Sequence, residues 1–220
     1  SKWVVTSAQN ATPVHKGFLS ALRTYCSENN AELVIIPTRY KNPTSVFTDK
    51  DFEWWDETIV EDIVDRRYEL CDGVVLLGDI KIQPTANTPI SGLEGFTGSQ
   101  SCIVGHPKYQ FKTVATRQGD MAKIMTTTGA ITLPNYTRSK AGDHHHQLAA
   151  TVVESDGGQF YIRQITANED GSFIDLERVF RPDGTVENAP RAATLVLGDL
   201  HEWWVSEEVD EATFGNDGLI

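Results

Sequence analysis

The stretch WVVTSAQNATPVHKGFLSALRTYCSENNAELVIIPT, residues 3–38, decides the fold of this chain. It begins with the apolar run Trp3–Ala8 and ends with a second apolar run, Leu33–Pro37. Between the runs, four residues recur at helical spacing: Val14, Phe18, Leu22 and Tyr25. Thr12 followed by Pro13 is typical of a helix start. Strand, helix and strand in this order predict a βαβ unit with parallel strands and a right-handed crossover.

The next 40 residues continue the same alternation. Residues 38–57 show no periodicity and include Trp54-Trp55, so we interpret them as a long ordered loop, a type of segment that is often functional. Apolar residues between Ile59 and Tyr68 predict a second amphipathic helix, and Gly73–Leu77 predicts a strand. The first part of the chain is therefore predicted to be α/β.

After Pro84 the pattern changes to short strands separated by glycines, which predicts a β-rich antiparallel region. The clearest signal is a hairpin in which residues 149–154 and 159–165 flank the turn Ser155-Asp156-Gly157-Gly158. Residues 172–180 alternate with period two and predict a third strand that extends the meander. We expect three regions: 1–84 (α/β), 85–190 (β-rich) and 191–220 (the start of another domain).

Composition places the chain among ordinary soluble globular proteins. It has 220 residues, of which 40% are hydrophobic, so it can bury a core. No apolar stretch approaches the roughly 18 residues that a membrane helix needs, and we expect no membrane partner and an intracellular protein. Cys26, Cys71 and Cys102 lack CxxC spacing, which favours buried thiols over a disulfide framework or a zinc site.

The net charge of -12 is unevenly distributed along the chain. Residues 101–142 carry six basic side chains against the single acid Asp120. These six residues are Lys108, Lys112, Arg117, Lys123, Arg138 and Lys140. With Tyr109, Phe111 and Tyr136 among them, this basic segment is predicted to follow a phosphate backbone and stack on bases. The alternative is a solvated sheet face paired with acidic neighbours.

An Asp-x-His pair follows the apolar run Thr194–Leu197 near the end of the sequence. In an extended segment residues i and i+2 point to the same side, so Asp199 and His201 are predicted to converge on one metal ion. The alternative is the polar end of a strand. A binuclear phosphoesterase needs Asp, His and Asn ligands at the ends of several strands, and a strand followed by Gly-Asp-x-His fits its first ligands.

Other candidate ligands carry weaker signals. Asp79 ends a similar apolar-Gly-Asp run but lacks the histidine, so we interpret it as a strand end at an edge where α/β proteins bind ligands. His144–His146 follow Asp143, and His106 lies in the basic segment; a solvated loop explains the three consecutive histidines. Asn10, Thr12 and His15 surround a strand-to-helix turn that suits a phosphate, but no glycine-rich fingerprint accompanies them.

Five strings are distributed along the sequence at 3–10, 37–45, 78–86, 126–137 and 197–201. Together they resemble the N-terminal part of a phage-encoded family of metallophosphoesterase-like (calcineurin-like) proteins, related to an early phage nuclease implicated in degrading host DNA. The resemblance covers essentially the whole chain. The resemblance implies that Asp199 and His201 are the first ligands of a two-metal site, for manganese. It also implies DNA as substrate and the cytoplasm of the infected cell as location.

The sequence departs from the family pattern because it ends before the later metal motifs, Gly-Asp-x-x-Asp and Gly-Asn-His. We therefore expect the metal site to be incomplete and this chain to be inactive by itself, as part of a nuclease completed by a C-terminal catalytic domain. Two alternatives stay open. One is a non-catalytic phage module that binds a host protein or DNA, or self-assembles into a homo-oligomer, through the Trp54-Trp55 loop; the other is a small nucleotide phosphohydrolase.

Overall fold

A computed structural model describes residues 1–40, 54–120, 122–136, 140–190 and 206–216, without the side chains of residues 140 and 141. The chain divides into two compact units, Ser1–Ala189 and Pro190–Ile220. In the second unit, the described residues contain the helix α3 (Glu207–Phe214), where the start of a calcineurin-like domain was predicted. None of the helices in these ranges is long and apolar enough to cross a membrane. The first unit is mixed α/β and consists mostly of strands.

The N-terminal βαβ unit is confirmed. Strand β1 (Lys2–Gln9), helix α1 (Lys16–Asn29) and strand β2 (Glu32–Thr38) follow one another, and β1 and β2 pair in parallel. The predicted helix face is buried, with Phe18, Leu22 and Tyr25 at most 1% exposed. The helix ends at Asn30, whose left-handed backbone (φ 50°) lets its N–H donate to the carbonyl oxygen of Cys26.

The predicted start of α1 at Thr12-Pro13 is wrong. The Thr12 hydroxyl instead accepts from the Gln9 side chain and donates to the Asn10 carbonyl oxygen, so it belongs to the turn after β1. Val14 forms an isolated bridge with Thr132, which keeps the backbone extended up to His15. His15 is the N-cap, because its Nδ1 accepts the Phe18 backbone N–H at 3.1 Å.

We expect His15→Ala to lower the free energy of unfolding by about 1 kcal/mol, because one buried helix N–H loses its acceptor. The neighbouring exposed Lys16 offers a matched control, and Lys16→Ala is expected to change stability by less than about 0.5 kcal/mol. Urea denaturation measures both values. Equal losses in the two variants would contradict the capping role of His15.

The first sheet combines the two strands of the βαβ unit with two strands from later in the Ser1–Ala189 unit. Its strand order is β2-β1-β8-β9, in which β8 (Ala149–Ser155) pairs antiparallel with β1 and with β9 (Phe160–Thr166). The predicted hairpin at β8 and β9 is confirmed. Residues from the predicted α/β region and from the predicted β-rich region therefore share one sheet.

The second sheet has the order β3-β4-β5-β7-β6. Its strands are β3 (Arg67–Cys71), β4 (Val74–Leu77), β5 (Ser101–Val104), β6 (Phe111–Val114) and β7 (Lys123–Thr127). The three central strands β4, β5 and β7 are parallel, so the region after residue 84, predicted to be antiparallel, contains the parallel pair β5–β7 beside antiparallel pairs such as β6–β7 and β8–β9. A parallel arrangement needs long connections, and the residues between β4 and β5 supply one.

The predicted helix between Ile59 and Tyr68 is also wrong. A short 3-10 helix covers Glu57–Asp62, and β3 then begins at Arg67. Helical continuation is prevented because Ile63 pairs with Ile35 of β2, and the Val64 N–H donates to the Ile35 carbonyl oxygen at 2.9 Å. The apolar residues in this segment therefore belong to a turn and an extended chain, and they do not form one face of a helix.

A third, antiparallel sheet replaces the single strand predicted for residues 172–180. It consists of β10 (Phe173–Asp175), β11 (Arg178–Phe180) and β12 (Val186–Asn188). The chain reverses at Leu176, whose φ is 52°. Asp175 anchors this sheet, since it accepts from Tyr25 Oη at 2.8 Å and from Arg163 Nε at 2.6 Å.

Side chains alternate between the two faces of the first sheet. On one face, Val4 and Ile35 pack against α1 and the aromatic residues Phe173 and Phe180. On the other face, Val5, Val34 and Ile36 pack against Leu76 and Ile103 of the second sheet. The far face of the second sheet is covered by irregular chain that contributes Ile80, Ile82, Ile90 and Leu93. A short helix, α2 (Lys140–His145), precedes β8.

Candidate functional site

The predicted metal ligands Asp199 and His201 lie outside the described residues, so the metal site stays a prediction. Within the ranges that the structure describes, no group of three or more His, Cys, Asp or Glu side chains is arranged to hold a metal ion. The remaining candidates are the residues that follow the parallel strands, where α/β proteins commonly bind ligands.

His106 follows β5 and is fully buried. Its Nδ1 accepts the Lys108 backbone N–H at 3.0 Å, which requires that Nε2 carries the proton and donates to the Gln83 carbonyl oxygen at 3.2 Å. Burial is the main cause that lowers the pKa of His106 to about 4, and the nearby charges of His145 and Lys108 act in the same direction. His106 is therefore neutral, with both ring nitrogens occupied by backbone groups, and has no lone pair for a metal.

His145 and His146 bind backbone in the same way. His145 Nε2 donates to the Pro84 carbonyl oxygen at 3.1 Å, and its ring lies 5.8 Å from that of His106. His146 Nε2 lies 2.8 Å from the Thr132 carbonyl oxygen, and its Nδ1 lies 2.8 Å from the Tyr136 hydroxyl. Burial lowers the pKa of His146. These two histidines attach α2 to neighbouring loops, whereas His144 is exposed.

The other proposed ligand positions are occupied differently. Asp79 is exposed after β4. Next to it, Lys81 forms an ion pair with Asp65 and donates to the Gly78 carbonyl oxygen at 2.6 Å. Asn10 Oδ1 accepts the Tyr40 N–H at 2.7 Å. The turn after β1 is thus held by internal hydrogen bonds, and among the described residues around it no feature indicates a phosphate site.

Sequence reasoning missed Gln9, the last residue of β1. Gln9 is 3% exposed, and its Nε2 donates to Thr12 Oγ1 and to the Asn135 carbonyl oxygen. Its Oε1 is buried and has no partner among the described residues. A lone glutamine at the end of an apolar strand carries no sequence signal, and only the burial of its amide reveals it.

The basic segment does not form one continuous stripe. Lys108 follows β5, close to the last residue of β7, and donates to the Asn87 carbonyl oxygen at 2.6 Å. Lys123 is the first residue of β7, about 13 Å from its end at the rise of an extended strand. Arg138 lies outside the described residues, as does the side chain of Lys140. Lys108 and Lys123 therefore lie at opposite ends of the second sheet.

Two of these cations differ in their neighbours. Lys112 on β6 forms an ion pair with Glu94, which holds the pKa of that carboxyl below its usual range. Arg117, by contrast, has no side-chain partner within the described residues. Among the aromatic residues of the segment, Phe111 is 51% exposed, whereas Tyr136 is 6% exposed and its hydroxyl bonds to His146. Phe111 is thus accessible to a partner and Tyr136 is not.

The Trp54-Trp55 loop is described only at its end, since residues 41–53 lie outside the described residues. The Trp54 carbonyl oxygen accepts the Ala11 N–H at 2.8 Å, while its side chain is 47% exposed. The Trp55 ring lies 5.2 Å from the Arg39 guanidinium and packs partly against the core. Trp54 therefore presents an indole on a fixed backbone.

Comparison with known proteins connects the chain to a phage. It is similar to Protein A1 of Escherichia phage T5, with 30% identity over 225 aligned residues that cover 98% of this chain and 40% of the phage protein. The chain thus spans less than half the length of that relative. No protein-family model matches the chain, and no solved structure matches it. The similarity supports a phage protein, and a metallophosphoesterase family remains a prediction.

Proposed function

We propose that the chain is the N-terminal part of a phage metal-dependent nuclease that hydrolyses DNA phosphodiesters. The proposal assigns metal binding to Asp199 and His201 and a supporting role to Ser1–Ala189. One observation supports this division of roles: the buried His106 and the half-buried His146 use both ring nitrogens for internal hydrogen bonds. Metal chemistry is therefore assigned to the Asp-x-His segment.

The donor set fits the proposed ion. A carboxylate and an imidazole are common ligands of divalent metal ions, and an ion held by Asp199 and His201 would supply Lewis-acid charge and activate a water molecule. The Asp199 carboxylate and the His201 imidazole would fix the position of that charge against a phosphate. Two ligands do not complete a binuclear site, so the proposal requires further carboxylate, imidazole or amide ligands outside the described residues.

A manganese titration tests the proposal on the longer polypeptide in which this chain is completed by a C-terminal catalytic domain, with labelled duplex DNA as substrate. We expect manganese-dependent cleavage, and we expect Asp199→Asn to reduce it by about 100-fold because several kcal/mol of charge stabilisation depend on the ion. Electron paramagnetic resonance of free Mn²⁺ measures whether the same variant also loses metal binding. Asp79→Asn is the matched control, because Asp79 follows the same apolar-Gly context and is exposed.

Unchanged cleavage in Asp199→Asn, or equal losses in both variants, would contradict the assignment. Turnover of free nucleotides without cleavage of DNA would favour a nucleotide phosphohydrolase instead.

A second candidate function is a non-catalytic phage module that binds a host protein or DNA. The observation that favours it is Trp54, an exposed indole whose backbone is held by Ala11. Tryptophan is enriched among the residues that contribute most of the binding energy at protein interfaces. Absence of cleavage at every manganese concentration, combined with unchanged Mn²⁺ binding in Asp199→Asn, would favour this module.

A further inference from the structure

The second sheet carries an open depression at the amino ends of its parallel strands. Its volume is about 540 Å³, and the residues that matter in its lining are Gly98, Ser99, Thr116, Arg117, Asp120 and Lys123. Arg117 comes three residues after β6, and Lys123 begins β7, where it pairs with Val114. The antiparallel β6–β7 pair thus brings two cations of the basic segment to the same concave surface.

The charges of these two cations are not neutralised by a bonded carboxylate. The Arg117 guanidinium has no side-chain partner within the described residues. Lys123 Nζ donates to the Gly98 carbonyl oxygen at 2.6 Å, and this neutral acceptor leaves its charge and two of its donors free. Asp120 is the acidic residue in the lining, so two positive charges face one negative charge.

The lining suits an oxyanion. A guanidinium offers paired N–H donors that match the oxygens of a phosphate, and a lysine ammonium adds a point charge. Ser99 and Thr116 contribute hydroxyl groups to the same lining. An apolar ligand would leave these donors without partners, whereas a phosphate oxygen satisfies them.

We propose that this depression binds a phosphate group of the DNA backbone through Arg117 and Lys123. The proposal deepens the proposed function, on which it rests for the identity of the nucleic acid. The proposal selects two of the six basic residues that the sequence predicted to bind nucleic acid. Lys112 is excluded because it is paired with Glu94, and Lys108 is excluded because it lies at the other end of the sheet. Because the whole chain carries a net charge of -12, general attraction to DNA is absent, and individual contacts decide binding.

Fluorescence anisotropy of a labelled duplex oligonucleotide, with EDTA present and salt varied, tests the proposal. We expect Arg117→Gln and Lys123→Gln each to weaken binding about tenfold, the effect of one charged hydrogen bond. Each variant should also reduce the slope of log affinity against log salt by about one, because one phosphate contact is lost. Lys112→Gln is the matched control and should leave both quantities unchanged. Melting temperatures verify that all variants are folded.

Competition with inorganic phosphate identifies the source of the anion. Displacement of DNA from the wild-type protein but not from Arg117→Gln supports a phosphate subsite that reads the backbone. Wild-type affinity in Arg117→Gln, an equal loss in Lys112→Gln, or a wild-type protein that does not bind duplex DNA would each overturn the proposal. EDTA prevents metal-dependent cleavage, so this assay measures binding alone. If binding depends on Arg117 but the polypeptide completed by the catalytic domain never cuts DNA, the nuclease proposal fails and the depression stands. If that polypeptide cuts DNA but binding does not depend on Arg117, the depression fails and the nuclease proposal stands.

Discussion

Replacing Gly171 with alanine is expected to lower the free energy of unfolding of the Ser1–Ala189 unit by about 4 kcal/mol, the upper end for single substitutions. A Cβ at this position would lie 2.2 Å from the Phe18 nitrogen and 2.4 Å from the Gly17 carbonyl carbon. Both atoms are backbone at the first turn of α1 and cannot rotate away. In addition, φ at Gly171 is 94°, which side chains rarely adopt.

A matched control separates the collision from the backbone strain. Gly157 in the β8–β9 turn has the same φ of 94°, but a Cβ there would have no atom within 4 Å. Gly157→Ala is therefore expected to cost about 1 to 2 kcal/mol from strain alone. Urea denaturation measures both variants. Equal losses of stability in the two variants would contradict the close contact between the backbone of α1 and the turn before β10.

Acidification is expected to remove about 3 kcal/mol of stability between pH 6.5 and pH 4 through His106. Burial lowers the pKa of His106 to about 4 in the folded protein, whereas an unfolded histidine titrates near 6.5. Between pH 6.5 and pH 4 the unfolded chain therefore binds a proton at His106 that the folded protein does not bind. This contribution is fully present above pH 6.5 and is lost as the pH falls towards 4. His146, whose pKa is also lowered, acts in the same direction.

The hydrogen bonds of His106 explain why a proton is not accepted. Protonation at Nδ1 would place an N–H against the Lys108 backbone N–H, which now donates to that nitrogen at 3.0 Å. Urea denaturation at several pH values measures the slope of stability against pH. His106→Gln should flatten the slope even if its absolute stability is lower, and the exposed His144→Gln should keep it. Direct NMR titration of His106 with a midpoint near 6.5 would contradict the prediction.

The parts of the fold that the sequence predicted are those encoded by neighbouring residues. The apolar runs of β1 and β2, and the helical spacing of Phe18 and Leu22, are local patterns, as is the Gly157-Gly158 turn of the β8–β9 hairpin. Each of these patterns has one low-energy local solution. The βαβ unit and the hairpin were predictable for this reason.

The errors arose where distant residues override the local pattern. Ile63 pairs with Ile35, and this contact extends a segment whose spacing is helical. The parallel order of β4, β5 and β7 depends on partners that no short window contains. At the candidate site, the consecutive histidines suggested a ligand set or a solvated loop, but carbonyl oxygens of Pro84 and Thr132 bind two of them. The sequence also could not predict which of the basic residues lack an acidic partner in the described structure.

The position of β1 sets the order in which this protein can fold. β1 is a central strand, hydrogen-bonded to β2 on one side and to β8 on the other, with Val4 opposite Val152. During synthesis β1 and β2 emerge early, but the second edge of β1 stays open until β8 has left the ribosome. Non-local pairings of this kind fold slowly, and an open apolar edge recruits other strands. We therefore expect nascent chains in which β8 has not yet emerged to expose an unpaired edge of β1 to other strands.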